Sequence, residues 1–390
     1  MTALSVTIDG RSLTDASAYR GLGTYVRQLL AGLVEVPDLD LSVLAEPAGP
    51  LPAGATRIPL THRAPDRWAT AEHQFLLSRR LAELTRRAGR VGAGGVGGVA
   101  RVFHSPALDP PRRVRLPWVQ TVADVLPLAD PHPAYAVERR RWRRWAERVR
   151  AADAVITLSR HSAGQAAAHL GVAPDRIHVI PLAPDPGYRP ADAAEGPAEP
   201  GAREPYLLSV GEYAPHKGFT ELSLVISELI RAGLPHRLVV AGRVTEQWRA
   251  EMERALGSGG SEARRRIDLI GWVPDLVSLY QGAAALVCTS RHEGFGLPLV
   301  EAMATATPVV AFDNSAVTEV VGDGGALVTD GDCPAMAARL AEILGDPTVR
   351  ARAATAARTR AGCFSWAETV QAHVELYRQV AGLPIGTGPV

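Results

Sequence analysis

Two glutamates, Glu293 and Glu301, lie eight residues apart between two short apolar runs of the chain. The runs Ala284–Thr289 and Pro308–Phe312 have the length and composition of strands, and a helical pattern covers Leu297–Thr305. The start of that helix would point unpaired N–H groups at a ligand above the sheet. Amides that bind phosphate, beside carboxylates that accept hydrogens from hydroxyls, suit a sugar nucleotide. The same spacing also fits a strand–helix–strand unit with two solvated glutamates.

The segment around these glutamates resembles the E-x7-E signature of the retaining glycosyltransferases of family 4, which have GT-B architecture. The resemblance implies that Glu301 holds the ribose diol of a nucleotide and that Glu293 contacts hydroxyls of the transferred sugar. It extends over Ile8–Tyr377 and is strongest to the bacterial mannosyltransferase-like branch. The backbone amides that it assigns to sugar and diphosphate lie in Gly294, Phe295, Gly296 and Leu297.

A single lysine, Lys217, occurs among the 42 lysine and arginine residues. A compact ammonium provides a point charge that a planar guanidinium does not, although one lysine in an arginine-rich chain can also arise by chance. The segment Val210–Gly218 resembles the family's diphosphate loop, and Lys217 matches the lysine that neutralises the leaving nucleoside diphosphate. Pro215 and Gly218 predict a tight turn just before a helix over Phe219–Arg231.

The arginine that accompanies this lysine in the family has no match in the loop, where Glu212 and His216 stand. The guanidinium is therefore missing or comes from another segment. Arg243 is the first candidate, and Arg291 and Arg20 are the alternatives.

Two further loops resemble donor-binding segments of the family. The segment Ile270–Pro274 resembles the loop whose backbone receives the base, which points to Val273. A loop containing Gly21 and Gly23, ahead of a helix over Thr24–Leu33, resembles the glycine loop that meets donor phosphates and acceptor. Glycines at a strand-to-helix turn let a ligand approach the backbone, but a helix N-terminus needs the same residues.

Many family members have His-Asp where this chain has Ala123-Asp124. The resemblance makes Asp124 a catalytic candidate together with Glu293 and Lys217. The histidine would touch the transferred sugar, so a methyl group in its place predicts weaker discrimination against donors without a 6-hydroxyl. His104, which follows a strand pattern, is either a neighbour of the sugar or a structural residue.

The fold class expected from the alternation of strand and helix patterns is α/β, with parallel sheets covered on both faces. The resemblance implies GT-B: two Rossmann-like, doubly wound domains facing a central cleft, with a C-terminal helix that crosses back to the first domain. The predicted boundaries are 1–189 for the acceptor domain, 190–205 for a Pro- and Ala-rich linker, 206–364 for the donor domain and 365–390 for the crossover helix and tail.

Length and composition limit the class of protein. A chain of 390 residues favours two domains, and a net charge of +1 gives no reason to expect a nucleic-acid partner. Three cysteines without metal-ligand spacing, no signal pattern and no apolar run of ~20 residues favour the cytoplasm. The inner face of the membrane is the alternative, because the basic pattern Glu138–Arg150 can contact anionic lipid weakly. In the other interpretation Trp142 and Trp145 pack inward and the arginines are solvated.

Three short motifs are not taken as binding sites. Gly92–Gly97 reads G-x-G-x-x-G but follows a helix pattern, the reverse of a dinucleotide fingerprint, so a loop is predicted. Asp330–Asp332 and Asp38–Asp40 read D-x-D, yet the first is expected to cap a helix and the second to lead into a strand. No metal site and no cofactor are predicted. In the family a donor phosphate oxygen is thought to take the acceptor proton, so no protein base is named.

The predicted function is retaining, metal-independent transfer of a hexosyl or deoxyhexosyl group from a nucleotide sugar to a hydroxylated acceptor. Two alternatives remain open: a sugar-nucleotide-binding subunit without turnover, and a GT-B epimerase or hydrolase that would convert UDP-GlcNAc alone. These motifs do not specify base, sugar, acceptor or oligomeric state, since acceptor pockets are built from variable loops.

Overall fold

The chain divides into two compact units in the computed structural model. The first unit comprises Met1–Leu182 and Trp366–Val390, and the second comprises Ala183–Ser365. The structure describes residues 3–15, 18, 21–47, 49–60, 76–85, 99–107, 109–191 and 205–384. Residues 183–189, which the predicted boundary puts with the first domain, group with the second unit. There Tyr188 packs edge-to-face against Tyr280, and Gln281 Nε2 donates to the carbonyl of Arg189 at 2.8 Å.

The first unit is built on a parallel sheet whose described strands run in the order β3-β2-β1-β4-β5-β6-β7. Its strands are β1 Leu4–Asp9, β2 Leu39–Ala45, β3 Thr56–Pro59, β4 Ala100–Ser105, β5 Trp118–Thr121, β6 Ala154–Thr157 and β7 Ile177–Val179. Its helical segments are α1 Gly21–Leu33, α2 (residues 76–85), α3 Leu126–Ala129, α4 Ala136–Arg150, α5 Arg160–Leu170 and, at the C-terminus, α14 Trp366–Val380. Strands β1, β5 and β6 are buried along their whole length, as expected where helices cover both faces of a parallel sheet.

The second unit repeats this architecture with described strands in the order β10-β9-β8-β11-β12-β13, all parallel. Its strands are β8 Tyr206–Val210, β9 Arg237–Ala241, β10 Ile267–Gly271, β11 Ala285–Cys288, β12 Val309–Asp313 and β13 Ala326–Thr329. Its helices are α6 Phe219–Arg231, α7 Glu246–Leu256, α8 Ser261–Arg265, α9 Leu276–Gly282, α10 Leu297–Ala304, α11 Ser315–Val321, α12 Cys333–Gly345 and α13 Pro347–Ala361. The strand order reverses between β8 and β11, which leaves a crevice at their carboxyl ends.

The predicted pair of doubly wound parallel sheets is confirmed. The helix predicted over Phe219–Arg231 has those bounds in the structure, as α6. One prediction is wrong: α1 begins at Gly21 rather than Thr24, so the two glycines form its first turn instead of a preceding loop. The sequence also has a helical pattern from about Trp68 to Arg87; its described part, 76–85, is helical, and the rest lies outside the described residues. The Gly92–Gly97 loop and residues 192–204 of the predicted linker also lie outside them.

The basic helix α4 packs its tryptophans inward, as in the second interpretation. Trp142 is 6% exposed and belongs to the hydrophobic core of the first unit, and Trp145 contacts it edge-to-face. The arginines at 140, 141, 143 and 144 are exposed. Within the described residues no helix combines the length and apolar character needed to cross a membrane.

The C-terminal helix α14 is joined to the first unit by a buried histidine. His373 is 0% exposed, and its Nε2 lies 2.7 Å from Tyr25 Oη on α1. Its Nδ1 lies 2.7 Å from the carbonyl oxygen of Thr369, one turn earlier in the same helix. Burial lowers the pKa of His373 from 6.5 to about 4, so the imidazole is neutral at physiological pH.

His104, at the end of β4, is also part of this buried network. Its Nδ1 lies 2.7 Å from Tyr377 Oη on α14, and its Nε2 lies 2.8 Å from Thr121 Oγ1 on β5. Burial, with a contribution from His373, holds the pKa of His104 well below its ordinary value. Both ring nitrogens are therefore bound to protein, and the interpretation of His104 as a neighbour of the sugar is wrong.

One carbonyl group sets the direction of every hydrogen bond in the network. Because the carbonyl can only accept, Nδ1 of His373 donates to it and Nε2 accepts the hydrogen of Tyr25 Oη. Tyr25 then accepts from Thr121, whose oxygen accepts from Nε2 of His104, and Nδ1 of His104 accepts from Tyr377 Oη. A proton added to either imidazole puts an N–H where the network has an acceptor, so the tyrosine hydroxyl opposite must turn its hydrogen away and lose that bond.

The folded protein should therefore lose stability in acid. The pKa of His373 is about 4 when folded and near 6.5 when unfolded, so its stabilising contribution is complete above pH 6.5 and is lost as pH falls towards 4. That contribution is roughly 3 kcal/mol. We expect the free energy of unfolding, measured in urea from pH 4 to 8, to fall over this window in the wild type. His373→Gln should have a lower value at pH 7 but a flatter slope, whereas the exposed His169→Gln should keep the wild-type slope. Equal slopes in all three proteins would contradict the assignment.

Candidate functional site

The crevice between β8 and β11 holds the two segments that carry the lone lysine and the two glutamates. A single 3-10 turn, Pro215–Lys217, follows β8, and the loop Thr289–Gly296 follows β11. Pro215 starts the turn and Gly218 ends it in the left-handed conformation, as their sequence predicts. The pocket at this point is lined by residues of both segments, including Gly211, Lys217, Ser290, Glu293 and Gly296.

The two segments touch at the backbone of Gly218. Its φ is 65°, and a Cβ there would lie 2.0 Å from the carbonyl oxygen of Thr289, so only glycine fits. Thr289 Oγ1 donates to the carbonyl oxygens of Gly218 at 2.8 Å and of Lys217 at 3.1 Å. The amide of Arg291 donates to the carbonyl of His216 at 2.7 Å. These bonds fix Lys217 relative to the loop after β11.

Lys217 and Glu293 form an ion pair inside the pocket. The distance from Nζ to Oε1 is 2.6 Å, and the side chains are 20% and 14% exposed. Burial alone would raise the pKa of Glu293, but the Lys217 ammonium, helped by Ser290 and His216, holds it below its usual range. Glu293 is therefore a carboxylate at neutral pH. The sequence identified Lys217 and Glu293 as candidate catalytic residues but did not indicate that they form an ion pair.

The loop between Glu293 and α10 is held by side chains from the start of α11. Ser315 Oγ accepts from the amide of Glu293 at 2.9 Å and donates to Asn314 Oδ1. Asn314 Nδ2 donates to the carbonyl of Ser290 at 3.0 Å. Gly296 has a φ of 94° and precedes the first turn of α10, which no side chain within the described residues caps. The amides of this turn therefore face the pocket side of the loop with the positive end of the helix dipole.

Glu301 lies one turn into α10 and is 9% exposed. Tyr280 Oη on α9 donates to its Oε2 at 2.9 Å, and the hydroxyl of Tyr188 also hydrogen-bonds to it. Burial raises the pKa of Glu301 to about 7; the two tyrosines oppose this rise and Asp185 adds to it. The sequence did not reveal Tyr188 and Tyr280, because nothing in the spacing of two aromatic residues 92 positions apart indicates a shared partner.

The three arginine candidates are in different situations. Arg243, just after β9, is 71% exposed and forms an ion pair with Glu212, one of the two residues that stand in the loop in place of the expected arginine. The loops that carry them are joined by a hydrogen bond from the amide of Tyr213 to the carbonyl of Arg243 at 3.1 Å. Arg291 instead pairs with Glu221 on α6. Arg20 lies outside the described residues.

Two further donor candidates of the second unit, Phe295 and Val273, lie in loops that follow strands of its sheet. Phe295 is buried and packs edge-to-face against Phe364. Val273 is half-buried in the loop between β10 and α9, and the preceding Gly271 accepts a hydrogen bond from the amide of Gly242 at 2.8 Å. Trp272, between them, is 63% exposed.

In the first unit, Gly21 and Gly23 stand in the first turn of α1. Asp124 follows β5, and its Oδ1 accepts from the amide of Leu126 at 3.0 Å, which forms a tight turn leading into α3. The carbonyl of the preceding Ala123 accepts from Ser162 Oγ at 3.0 Å. Asp124 therefore has a local structural role in addition to the one implied by resemblance.

The aspartates of the two D-x-D motifs have local roles. Asp332 Oδ1 accepts from the amide of Ala335 at 2.9 Å and caps α12, as predicted. Asp40 lies in β2 and accepts from Ser5 Oγ at 2.9 Å. Over the described ranges, no group of three or more His, Cys, Asp or Glu side chains is placed to share a metal ion.

Two doubly wound parallel sheets, the second with a helix start and two buried glutamates at its switch point, define a protein of GT-B architecture. Two family models match the chain: Glycosyltransferase Family 4 over residues 19–187 and Glycosyl transferases group 1 over residues 195–360. The chain belongs to glycosyltransferase family 4.

Curated relatives match part of the chain. A D-inositol 3-phosphate glycosyltransferase from Nocardia farcinica is 33% identical over 239 residues, which cover 58% of this chain and 52% of that protein. O-antigen chain mannosyltransferase B from Escherichia coli is 28% identical over 286 residues, 71% of this chain and 74% of that protein. The chain thus spans about half the length of the first relative.

Solved structures match nearly the whole chain. Sucrose-phosphate synthase from Thermosynechococcus elongatus has a TM-score of 0.73 at 21% identity, covering 97% of this chain and 99% of that one. HepE from Anabaena in complex with UDP and glucose has a TM-score of 0.71 at 16% identity, covering 96% and 99%. At these identities the likeness shows the shared GT-B fold.

The contact at Gly218 can be tested against a matched glycine. Gly233 also has a positive φ, 78°, but a Cβ there would meet nothing within 4 Å. Gly233→Ala should cost only the left-handed backbone energy, about 1–2 kcal/mol. Gly218→Ala adds a clash with a backbone oxygen and should lose about 1–3 kcal/mol more in urea unfolding. Equal losses in the two variants would show that the turn can move away from Thr289.

Proposed function

We propose that this chain is a glycosyltransferase that moves a sugar from a nucleoside diphosphate donor to a hydroxyl acceptor with retention of configuration. The observation that carries the proposal is the arrangement of Glu293, Lys217 and Glu301 around the start of α10 at the switch point of the second sheet. Membership of family 4 supports it, and so does the likeness to HepE, whose structure contains UDP and glucose.

The proposed donor lies along α10 in an order set by chemistry. Glu301 accepts hydrogens from the ribose diol, and the backbone near Val273 receives the base. The diphosphate meets the Lys217 ammonium and the amides of Gly294, Phe295, Gly296 and Leu297, where the helix dipole favours negative charge. Glu293 accepts from hydroxyls of the sugar. From the first unit, Gly21, Gly23 and Asp124 are assigned to phosphate, acceptor and sugar by resemblance.

The proposed reaction breaks the bond from the anomeric carbon to the phosphate oxygen and forms one to the acceptor oxygen on the same face of the sugar. The acceptor proton passes to a phosphate oxygen of the leaving nucleoside diphosphate. Lys217 lies within 2.6 Å of a carboxylate, so its ammonium is fixed before the donor arrives. It then stabilises the charge that develops on the leaving group. In this proposal the protein's own positive groups neutralise the diphosphate without a metal ion.

The proposed donor sugar is a hexose or deoxyhexose. The relatives' names include a mannosyltransferase. Because the HepE structure contains UDP, UDP is the first nucleotide to test. The methyl group of Ala123, where relatives have an imidazole, supports tolerance of donors without a 6-hydroxyl. The free thiols Cys288, Cys333 and Cys363 suit a cytoplasmic enzyme, and the exposed arginines of α4 suit weak contact with anionic lipid.

A sugar-nucleotide-binding subunit without turnover is the second candidate. It is favoured by Glu212 and His216, which stand where the family's arginine usually falls, and by Ala123 at the position of the family's histidine. Turnover separates the two, because a binding subunit would bind UDP-sugars or GDP-sugars without consuming them. An epimerase or hydrolase would consume the donor without an acceptor.

Lys217 provides the sharpest test of catalysis. Lys217→Ala should lower kcat by ~10²–10³, because one preorganised positive donor to the leaving group is lost. Lys217→Arg should rescue only part of the rate, since the larger planar group must fit a turn held against Thr289. The measurement is release of nucleoside diphosphate, with the product's anomeric configuration read by NMR.

Removing Lys217 also leaves Glu293 unpaired, so the double variant Lys217→Ala/Glu293→Gln separates stability from catalysis. It should restore most of the stability lost in Lys217→Ala without restoring kcat. The exposed pair Arg339–Glu342 gives the control, and Arg339→Ala should leave kcat unchanged. A wild-type rate in Lys217→Ala would remove the lysine from the mechanism.

Arg243 is proposed to supply the second positive charge, with Glu212 orienting it. Arg243→Ala should weaken binding of UDP or GDP about tenfold or more, the effect of losing a charge-assisted hydrogen bond. It should affect the nucleoside monophosphate less. Glu212→Gln removes the ion pair of the guanidinium and should leave affinity equal or higher. Arg249→Ala on α7, another exposed arginine with a carboxylate partner, should have no effect. If calorimetry shows unchanged affinity in Arg243→Ala, this arginine does not bind the diphosphate and only pairs with Glu212.

A further inference from the structure

The carboxylate of Glu301 is held by two neutral donors rather than by a cation. Tyr280 Oη donates to Oε2 at 2.9 Å from α9, and the Tyr188 hydroxyl hydrogen-bonds to the same carboxylate from the segment 183–191. Glu301 is 9% exposed and Tyr280 is fully buried. Two hydroxyls use part of the carboxylate's acceptor capacity and leave lone pairs for other donors.

The two tyrosines are themselves fixed in place. Their rings meet edge-to-face with centroids 5.7 Å apart. Thr307 Oγ1 donates to the carbonyl of Tyr280 at 2.7 Å, and Gln281 Nε2 donates to the carbonyl of Arg189 at 2.8 Å, which ties the segment 183–191 to α9. The hydroxyls therefore have defined positions before any ligand binds.

The ionisation of Glu301 is balanced near neutral pH. Burial raises its pKa to about 7, and the hydrogen bonds from Tyr280 and Tyr188 oppose the rise. A protonated carboxyl offers a donor where a ribose diol needs an acceptor. Loss of either tyrosine hydroxyl would thus reduce the fraction of protein that can bind.

Other titratable and charged groups lie near the Glu301 carboxyl and its two tyrosines. Asp185 adds to the rise in the pKa of Glu301, and burial, followed by the charge of Glu301, raises the pKa of both tyrosines. On α13, which packs against α10, the Arg360 guanidinium binds backbone carbonyls of α11. The titratable groups that face Glu301 or its two tyrosines are Tyr188, Tyr280, Asp185, Asp275 and Cys288.

We propose that Tyr188 and Tyr280 are positioning residues for the donor: they hold and aim the Glu301 carboxylate so that its remaining lone pairs accept hydrogens from both ribose hydroxyls. This inference rests on the proposed function, because it takes Glu301 as the ribose ligand. The segment 183–191, which precedes the second sheet in the chain, thereby contributes to nucleotide recognition in its own unit.

The test is the pH dependence of nucleotide binding by the full chain. UDP and GDP are titrated calorimetrically from pH 5.5 to 8.5. For the wild type we expect affinity to weaken about tenfold for each pH unit below a midpoint near 7, because only the ionised fraction binds. Tyr280→Phe should move the midpoint up by about one pH unit, which is tenfold weaker binding at pH 6, and should approach wild-type affinity at pH 8.5. Tyr188→Phe should shift it in the same direction.

Three controls assign the shift to the carboxylate. Tyr206→Phe removes a hydroxyl that donates to the carbonyl of Leu279 on the same helix without touching Glu301, so it should not move the midpoint. Glu301→Gln should bind at least tenfold more weakly at pH 8 with little dependence on pH. The 2′-deoxynucleotide should show a smaller effect of either tyrosine. Comparing variants on one ligand cancels the titration of its own phosphate.

The possible outcomes distinguish a failure of this inference from a failure of the proposed function on which it rests. If neither UDP nor GDP binds the wild type, the proposed function fails. If binding and the Glu301→Gln loss are found but the tyrosine variants keep the wild-type midpoint, the tyrosines only fill the core and the inference is overturned. If circular dichroism shows that Tyr280→Phe does not fold, Tyr188→Phe, whose side chain is half-buried, decides the question in the same way.

Discussion

The close approach of two backbones at Gly218 and Thr289 is the constraint on which the second unit's site depends. A carbonyl oxygen occupies the space of the missing Cβ, and one threonine hydroxyl ties the turn after β8 to the end of β11. The two strands on either side of the switch point thus end in one rigid piece. Lys217 and Glu293, 76 residues apart, meet at 2.6 Å because of it. A charged pair placed this way loses little conformational freedom when a ligand binds.

The two glutamates of one short motif lie in opposite electrostatic environments. The Lys217 ammonium outweighs burial and keeps the pKa of Glu293 low, whereas burial, together with Asp185, raises the pKa of Glu301 to about 7 against the hydrogen bonds of two tyrosine hydroxyls. The difference comes from the partners, since both side chains are largely removed from water. Glu293 is therefore a constant negative charge at physiological pH, and Glu301 is an acceptor whose availability depends on pH. Identical residues eight positions apart can serve different steps for this reason.

The features that could be predicted from the sequence are those set by local periodicity and by residues with narrow conformational preferences, such as proline and glycine in turns. Alternating apolar runs predicted both sheets, and Pro215 with Gly218 predicted the turn that presents Lys217. Long-range partners were not predictable in this way. Tyr188, Tyr280 and the pair of Glu212 with Arg243 depend on how distant segments meet in the sheet. The start of α1 at Gly21 was missed because glycine suits both a loop and a first helical turn.

The Glu212–Arg243 pair shows why a motif alone cannot decide whether a charge is missing. β8 and β9 are neighbours in register, and the bond from the Tyr213 amide to the Arg243 carbonyl continues their pairing beyond the strands. Side chains from either loop therefore reach the same point above the sheet. Arg243, in the loop after β9, places its guanidinium at this point. The carboxylate of Glu212, in the loop after β8, sets the orientation of that guanidinium. A diphosphate would need a positive charge at that point, and the fold allows the loop after either β8 or β9 to provide it.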